Sequence, residues 1–192
     1  MTRSFLSLVL PMAIACAPSA GDAPSAHVVD SVVAWDSALA AFRSTGDSVT
    51  VLTGATSRGE LVSALAEAIA THDTAQLRSL VLSRAEFAWL YYPTAREAHP
   101  PYELPPDLMW FRLSSQSEQG ISKALRLLGG RPVGVIDHAC EPTLERVEGR
   151  NRLRGGCIVR RTAGGDTLHE SLFGLIIERD GRYKFVSYAN RL

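Results

Sequence analysis

Leu153–Leu192 reads LRGGCIVRRTAGGDTLHESLFGLIIERDGRYKFVSYANRL. Its β-rich runs are punctuated by Ala163-Gly164-Gly165-Asp166 and Arg179-Asp180-Gly181-Arg182. Gly-Gly and Asp-Gly between such runs are hairpin signals, because the favoured two-residue turns need positive φ at both central positions. No proline follows Pro142, so every strand here can donate to a ladder. The expectation is a meander of three strands, Leu153 to Thr162, Thr167 to Glu178 and Tyr183 to Asn190. A turn at Asp180-Gly181 sets Ile177 opposite Lys184, Leu175 opposite Val186 and Phe173 opposite Tyr188, and on the other face Ile176 opposite Phe185 and Leu172 opposite Ala189. Both faces are then partly apolar. One packs on helices, and the other is available to a second copy of the chain.

Upstream of the meander the spacing is helical. Asp30 to Arg43 carries Trp35, Leu39 and Phe42 on one broad face. Ser57-Arg58-Gly59-Glu60 fits a capping box, and Leu61, Ala64, Leu65, Ala68 and Ile69 follow at one helical face. Asp73 or Thr74 opens a shorter helix with Leu77, Leu80 and Val81. Ser83-Arg84-Ala85-Glu86 is a second capping box, leading into Phe87, Leu90 and Tyr91 before Pro93 stops the run. Thr94 to Pro105 reads as a loop. Pro106 suits a first helical turn, and the helix runs to Leu128 with Gly129-Gly130 as its stop. Trp110, Ile121, Ala124, Leu125 and Leu128 share its apolar stripe, but Ser114 and Ser117 fall inside that stripe and Glu118 at its edge. Either the helix is broken or solvated there, or these residues line a polar cavity. Pro132 to Cys140 reads as a strand, and Glu141 to Asn151 as a charged loop.

Helices first and an antiparallel sheet last give an α+β domain: N-terminal helices packed on a curved C-terminal antiparallel sheet. The order of elements, ending in Phe173-Gly-Leu-Ile-Ile-Glu-Arg-Asp-Gly-Arg-Tyr-Lys-Phe-Val-Ser-Tyr188, resembles the nuclear transport factor 2-like group, the cystatin-like cone, from about Ser57 to the end. The resemblance implies a pocket inside the cone. It implies either a plain binding module or an isomerase or dehydratase that moves a proton with a His or Asp base and a Tyr donor. The residue types for that chemistry are present without a fixed spacing. Asp137 and His138 are neighbours on a predicted strand and point to opposite faces. His169 shares a face with Ser171 and Phe173. Tyr91 and Trp110 offer aromatic walls, and Ser114 and Glu118 complete the candidate pocket set. For each histidine the plain alternative is a hydrogen-bonded or surface side chain, and for Trp89, Tyr91 and Tyr92 it is the core.

Met1 to Ala15 has a charged start at Arg3, the apolar run Phe5 to Leu10, and small residues before Cys16. That is the pattern of a secretory signal, too short to span a membrane. Ala13-Ile14-Ala15-Cys16 resembles a bacterial lipobox, with Ala13 where leucine is usual. It implies lipidation of Cys16 and a membrane anchor, and Ala17 implies the outer rather than the inner membrane. Ala13-Ile14-Ala15 also fits ordinary cleavage. Ala17 to Ala26 reads as a flexible tether, so residues 16–28 link the signal to one domain from residue 29 onward. In that periplasmic setting Cys140 and Cys157 either form a disulfide or stay as separately buried thiols.

Composition removes other classes. Lys plus Arg is 20 and Asp plus Glu is 20, so no overall field draws nucleic acid. A hydrophobic share of 46% excludes a disordered chain. There is no GxSxG, GxxxxGK[ST], HExxH or GxGxxG, and the scattered histidines predict neither a metal site nor a cofactor. Arg150, Arg152 and Arg154 lie between Gly149 and Gly156 with no aromatic platform, which favours a solvated surface over a phosphate grip.

Overall fold

Two interruptions bend the C-terminal ribbon. The computed structural model describes residues 34–192. In it the strand expected over Leu153–Thr162 is split at Gly155-Gly156, where Gly156 sits at φ 61°, a region that favours glycine. The strand expected over Thr167–Glu178 is split at residues 171–175.

The helices are α1 (Trp35–Arg43), α2 (Arg58–Ala70), α3 (Thr74–Ser79), the single turn α4 (Arg84–Glu86), which widens into a π turn (Phe87–Tyr91), and α5 (Pro106–Leu128). The strands are β1 (Val135–Ala139), β2 (Arg146–Glu148), β3 (Asn151–Arg154), β4 (Ile158–Ala163), β5 (Asp166–Glu170), β6 (Ile176–Arg179) and β7 (Arg182–Phe185). They form two antiparallel sheets, ordered β1-β4-β5 and β2-β3-β6-β7. The fold is therefore α+β, with helices followed by two open antiparallel sheets. The charged stretch expected as loop over Glu141–Asn151 supplies β2 and the start of β3.

The sheets are two ends of one bent hairpin. β4 pairs with β5 across the Gly164-Gly165 turn, and β3 pairs with β6. Between the flanking pairs Arg154↔Ile176 and Val159↔Glu170 the second strand holds one residue more than the first. A bulge of that kind bends a ribbon and raises its twist. Both turns have the expected left-handed residues: Gly164 and Gly165 in one, Asp180 and Gly181 in the other. The expected register holds for Ile177↔Lys184 and Ile176↔Phe185, and Val186 N–H donates to the Leu175 carbonyl at 2.8 Å. It slips by one further on, where Ser171 pairs with Arg191. Phe173 and Tyr188 meet instead through Phe185, at ring centroid distances of 4.4 and 5.4 Å.

The helices follow their sequence signals with two local differences. Ser57 caps α2 by accepting from Glu60 N–H at 3.1 Å, but the Glu60 carboxylate reaches past it to Thr56, taking its N–H at 2.7 Å and its hydroxyl at 2.6 Å. At Ser83 the reciprocal box is complete. The run after Glu86 is a π turn rather than an α-helix, and it buries Phe87, Ala88, Leu90 and Tyr91 together. Two apolar clusters result. One joins α2, α3 and the rear of α5 to Val159, Ile176 and Phe185. The other joins α1, the π turn and the front of α5 to Leu153, Ile177 and Val186. Both faces of β6 are thus covered by the chain itself.

α5 is unbroken across the polar gap in its stripe. Ser114 donates to its own helix at the Trp110 carbonyl (2.8 Å). Ser117 is buried; it donates to the Leu113 carbonyl (2.9 Å) and accepts Tyr188 N–H (3.3 Å). Gly120, one turn on, lies so close that an added Cβ would stand 1.9 Å from the Tyr188 carbonyl oxygen. At Ser117 and Gly120 the helix seats the backbone of Tyr188, three residues past β7.

Candidate functional site

The front half of α5 shares an apolar cluster with Leu153, Ile177 and Val186 but leaves the kink of the ribbon uncovered. A cavity of about 690 Å³ is left between them, within the ~300–1,000 Å³ range of pockets that take drug-sized ligands. Met109, Arg112, Leu113 and Gln116 face it at i, i+3, i+4 and i+7, one helical stripe. The ribbon contributes its kink: Gly156, Cys157 and Ile158 from one arm, and His169, Ser171 and Phe173 from the other. Val186 and Ser187 close the floor, and Tyr91 and Glu97 stand at the helical end.

The disulfide that joins Cys140 to Cys157 belongs to this wall. It ties the end of β1 to the start of β4, next to the Ala139↔Ile158 pair. The kink is therefore held at the point where the ribbon leaves one sheet for the other.

Of the residues singled out in the sequence, Tyr91 and His169 reach the cavity. Trp110 packs on Phe87 at a centroid distance of 5.3 Å. Ser114 is engaged by its own helix. Glu118 is exposed and makes two 2.9 Å bonds to Arg78, which hold its carboxyl below the usual range. Asp137 is exposed and paired with Arg160. It shares a cross-strand row with His169, since Asp137 pairs with Arg160 and Arg160 with His169. Arg160 thus stands between the two and neutralises the carboxylate. Asp137 and His138 instead border a second groove, of about 500 Å³, along α2 and residues 132–138. Burial, helped by repulsion from Arg58, pushes the His138 imidazole down. Cys16 lies outside the described residues.

The helical end of the cavity carries an uneven polar cluster. Arg146 bonds Glu148 at 2.7 Å and faces Glu97 at 3.7 Å. One oxygen of each carboxylate, Glu97 Oε2 and Glu148 Oε2, is buried without a hydrogen-bond partner. Burial raises the Tyr91 hydroxyl well above its ordinary value, and the charges of Glu97 and Glu148 add to that, with Arg146 acting the other way. Tyr91 is therefore a neutral phenol at physiological pH, able to donate a proton in a hydrogen bond. Among the described residues, no group hydrogen-bonds the His169 ring, which is exposed. A general base is normally oriented by such a partner.

The basic stretch Arg150–Arg154 is strand and turn, and each arginine has an acid. Arg150 meets Asp180 at 2.7 Å, Arg152 meets Glu145 at 2.9 Å, and Arg154 meets Glu178 at 2.6 Å. The sequence reading missed Glu97, Met109, Arg112, Gln116 and Arg191. The signal for the α5 members was present: a stripe counted from Met109 rather than Trp110 passes through Arg112, Leu113, Gln116, Ser117 and Gly120.

No protein-family model, curated protein or solved structure matches the chain. Its site has to be read from its own geometry.

Proposed function

We propose that the chain is an extracytoplasmic lipoprotein whose domain, of the nuclear transport factor 2-like kind, binds a small and largely apolar molecule without turning it over. The observation that carries this reading is the cavity of about 690 Å³ between α5 and the bent ribbon, whose apolar wall includes Met109, Leu113, Phe173 and Val186. Apolar concave sites with a few placed polar groups are the usual form of small-molecule sites. Helices in front of a ribbon bent into two sheets support the cone-like reading, and the Cys140–Cys157 disulfide suits an oxidising compartment. The anchor rests on the Cys16 pattern, and a protein whose detergent-phase partitioning survives Cys16→Ser is not held by lipid there.

Binding is tested with N-phenyl-1-naphthylamine, a neutral apolar fluorophore. Saturable enhancement is expected with the wild type and not with Leu113→Trp, which fills the cavity from the α5 side. Equal enhancement in both, at unchanged melting temperature, would remove the cavity from the account. Mass spectrometry of molecules carried through purification would name the natural occupant.

The second reading is an isomerase or dehydratase-type enzyme, favoured by Tyr91 and His169 lining one cavity. Its test is an occupant, once identified, that is converted by the wild type and not by His169→Gln. Of the two sheets, β1-β4-β5 keeps an exposed face for a second copy, the one that carries Arg160 and, at its cavity edge, Ile158 and His169. A single monomer mass in sedimentation would remove that arrangement.

A further inference from the structure

The exposed part of the cavity lining carries two arginines, Arg112 and Arg191, although the chain as a whole is neutral. Twenty basic residues face twenty acidic ones in the sequence, so a local excess must come from placement. Arg112 and Arg191 line the cavity, both exposed. Among the described residues neither has a carboxylate within 4.0 Å, whereas Arg146, Arg150, Arg152, Arg154, Arg160 and Arg161 all do. The wall holds one carboxylate, Glu97, and that one faces Arg146.

The two free guanidiniums come from different elements. Arg112 is on the inward stripe of α5, one turn before Gln116. Arg191 is pinned at the end of β5, where its N–H donates to the Ser171 carbonyl at 2.8 Å. His169, two residues earlier on the same arm, adds a ring N–H whatever its tautomer. Behind this rim the wall is apolar and buried: Met109, Phe173 and Val186. Arginine is the side chain best shaped to hold a carboxylate by paired N–H donors.

The geometry points to an anionic amphiphile as the ligand: a carboxylic acid whose hydrocarbon body fills the cavity while its carboxylate rests against Arg112 and Arg191. This deepens the binding reading above and depends on it. Glu97 opposes an acid at the helical end, so the carboxylate is held beside the arginines and the chain end points toward Tyr91. A free acid of moderate chain length fits both the volume and the charge placement.

The test displaces N-phenyl-1-naphthylamine from the folded domain with decanoate, decanol and decyltrimethylammonium, each below its micelle concentration. Decanoate is expected to bind about tenfold more tightly than decanol, the combined scale of two exposed charge pairs, and the cation more weakly than either. Arg112→Gln with Arg191→Gln brings decanoate to the affinity of decanol and leaves decanol unchanged. Both positions are exposed, so the double variant keeps its melting temperature. Raising the salt weakens decanoate alone. Equal affinity for decanoate and decanol in the wild type overturns the anion preference and leaves the apolar cavity standing. Preserved decanoate selectivity in the double variant overturns the arginine assignment. If none of the three displaces the fluorophore, the binding reading itself falls.

Discussion

Glu86 immediately precedes the π turn Phe87–Tyr91 and Glu97 lies six residues beyond it, and their surroundings differ. Glu86 is buried and fully used. Its carboxylate accepts from Lys184 Nζ at 2.8 Å, Thr53 N–H at 3.0 Å, Thr53 Oγ1 at 2.6 Å and Ser83 N–H at 2.8 Å. Glu97 borders the cavity, lies 3.7 Å from its nearest cation and keeps one buried oxygen without a partner. A native fold leaves few such groups unsatisfied. The side with every donor matched holds the chain together, and the side with unmatched groups is where a ligand fits. The same contrast runs along α5, sealed against Tyr188 at Gly120 and open at Arg112 and Gln116.

The largest effect should come from breaking the matched side. Lys184→Met removes the cation from a buried pair and strands Glu86, at a cost of about 3–5 kcal/mol. For a domain of this size that lowers the melting temperature by roughly 10 °C or more. Lys184→Met combined with Glu86→Gln should recover part of the loss, and a double variant as unstable as the single one would show that the charge is not the cause. The pH dependence has a definite sign. Burial alone would raise the Glu86 carboxyl, but the hydrogen bonds from Lys184, Thr53 and Ser83 outweigh it and hold it below the usual range. A depressed folded value gives stability that is present above the ordinary carboxylate pKa of about 4.3 and is lost as pH falls through the folded value. Urea melts between pH 6 and pH 2 should show the acid loss in the wild type and a shallower one in Glu86→Gln.

Next is the sealed half of α5. Gly120→Ala places a carbon against the Tyr188 carbonyl, so backbone has to move rather than a flexible side chain. At least about 3 kcal/mol of destabilisation is expected, the upper end of overpacking. Gln116→Ala, one turn away and facing the cavity, should change stability by less than about 0.5 kcal/mol. Equal melts for the two variants would mean that the sealed and open halves are not distinct.

Local elements on both sides were legible in the sequence, Tyr91 and His169 of the cavity wall among them, and the contacts between distant segments were not. The Ser83–Glu86 capping box, both hairpin turns, the α5 limits and the Ile177↔Lys184 register follow from local patterns. The Glu86–Lys184 pair joins residues far apart in the chain, so no local spacing announces it. The bend that creates the cavity depends on a bulge and on Gly156 at positive φ, and neither changes the alternation of side chains enough to be read. Ser114 and Ser117 did flag something unusual in α5. For Ser117 the cause is the close approach of the Tyr188 backbone, shared with Gly120, while Ser114 is taken up by its own helix.

The disulfide tests the hinge between the two sides. Cys140 and Cys157 close a loop of 17 residues of separation, worth roughly 3 kcal/mol in the chain-entropy model. Reduction, or Cys140→Ser with Cys157→Ser, should lower the melting temperature accordingly. Because Cys157 forms part of the cavity wall, the same change should weaken fluorophore binding more than it disturbs far-ultraviolet circular dichroism. Loss of secondary structure and binding together would mean that the bridge supports the whole domain and not the kink.

At Glu97 the effect on stability is again small. Its contact with Arg146 is long, and one of its oxygens is already unpaired, so Glu97→Gln removes little that holds the fold. A partly exposed ion pair contributes about 0–1 kcal/mol, and the melt should shift by no more than that. Binding should respond differently. Removing the one acidic group on the cavity wall leaves Arg112 and Arg191 unopposed, so an anionic occupant should gain affinity while a neutral one of the same chain length does not. If Glu97→Gln instead destabilises the domain as much as Lys184→Met, the unmatched carboxylate is a structural element after all, and the distinction between the two glutamates fails.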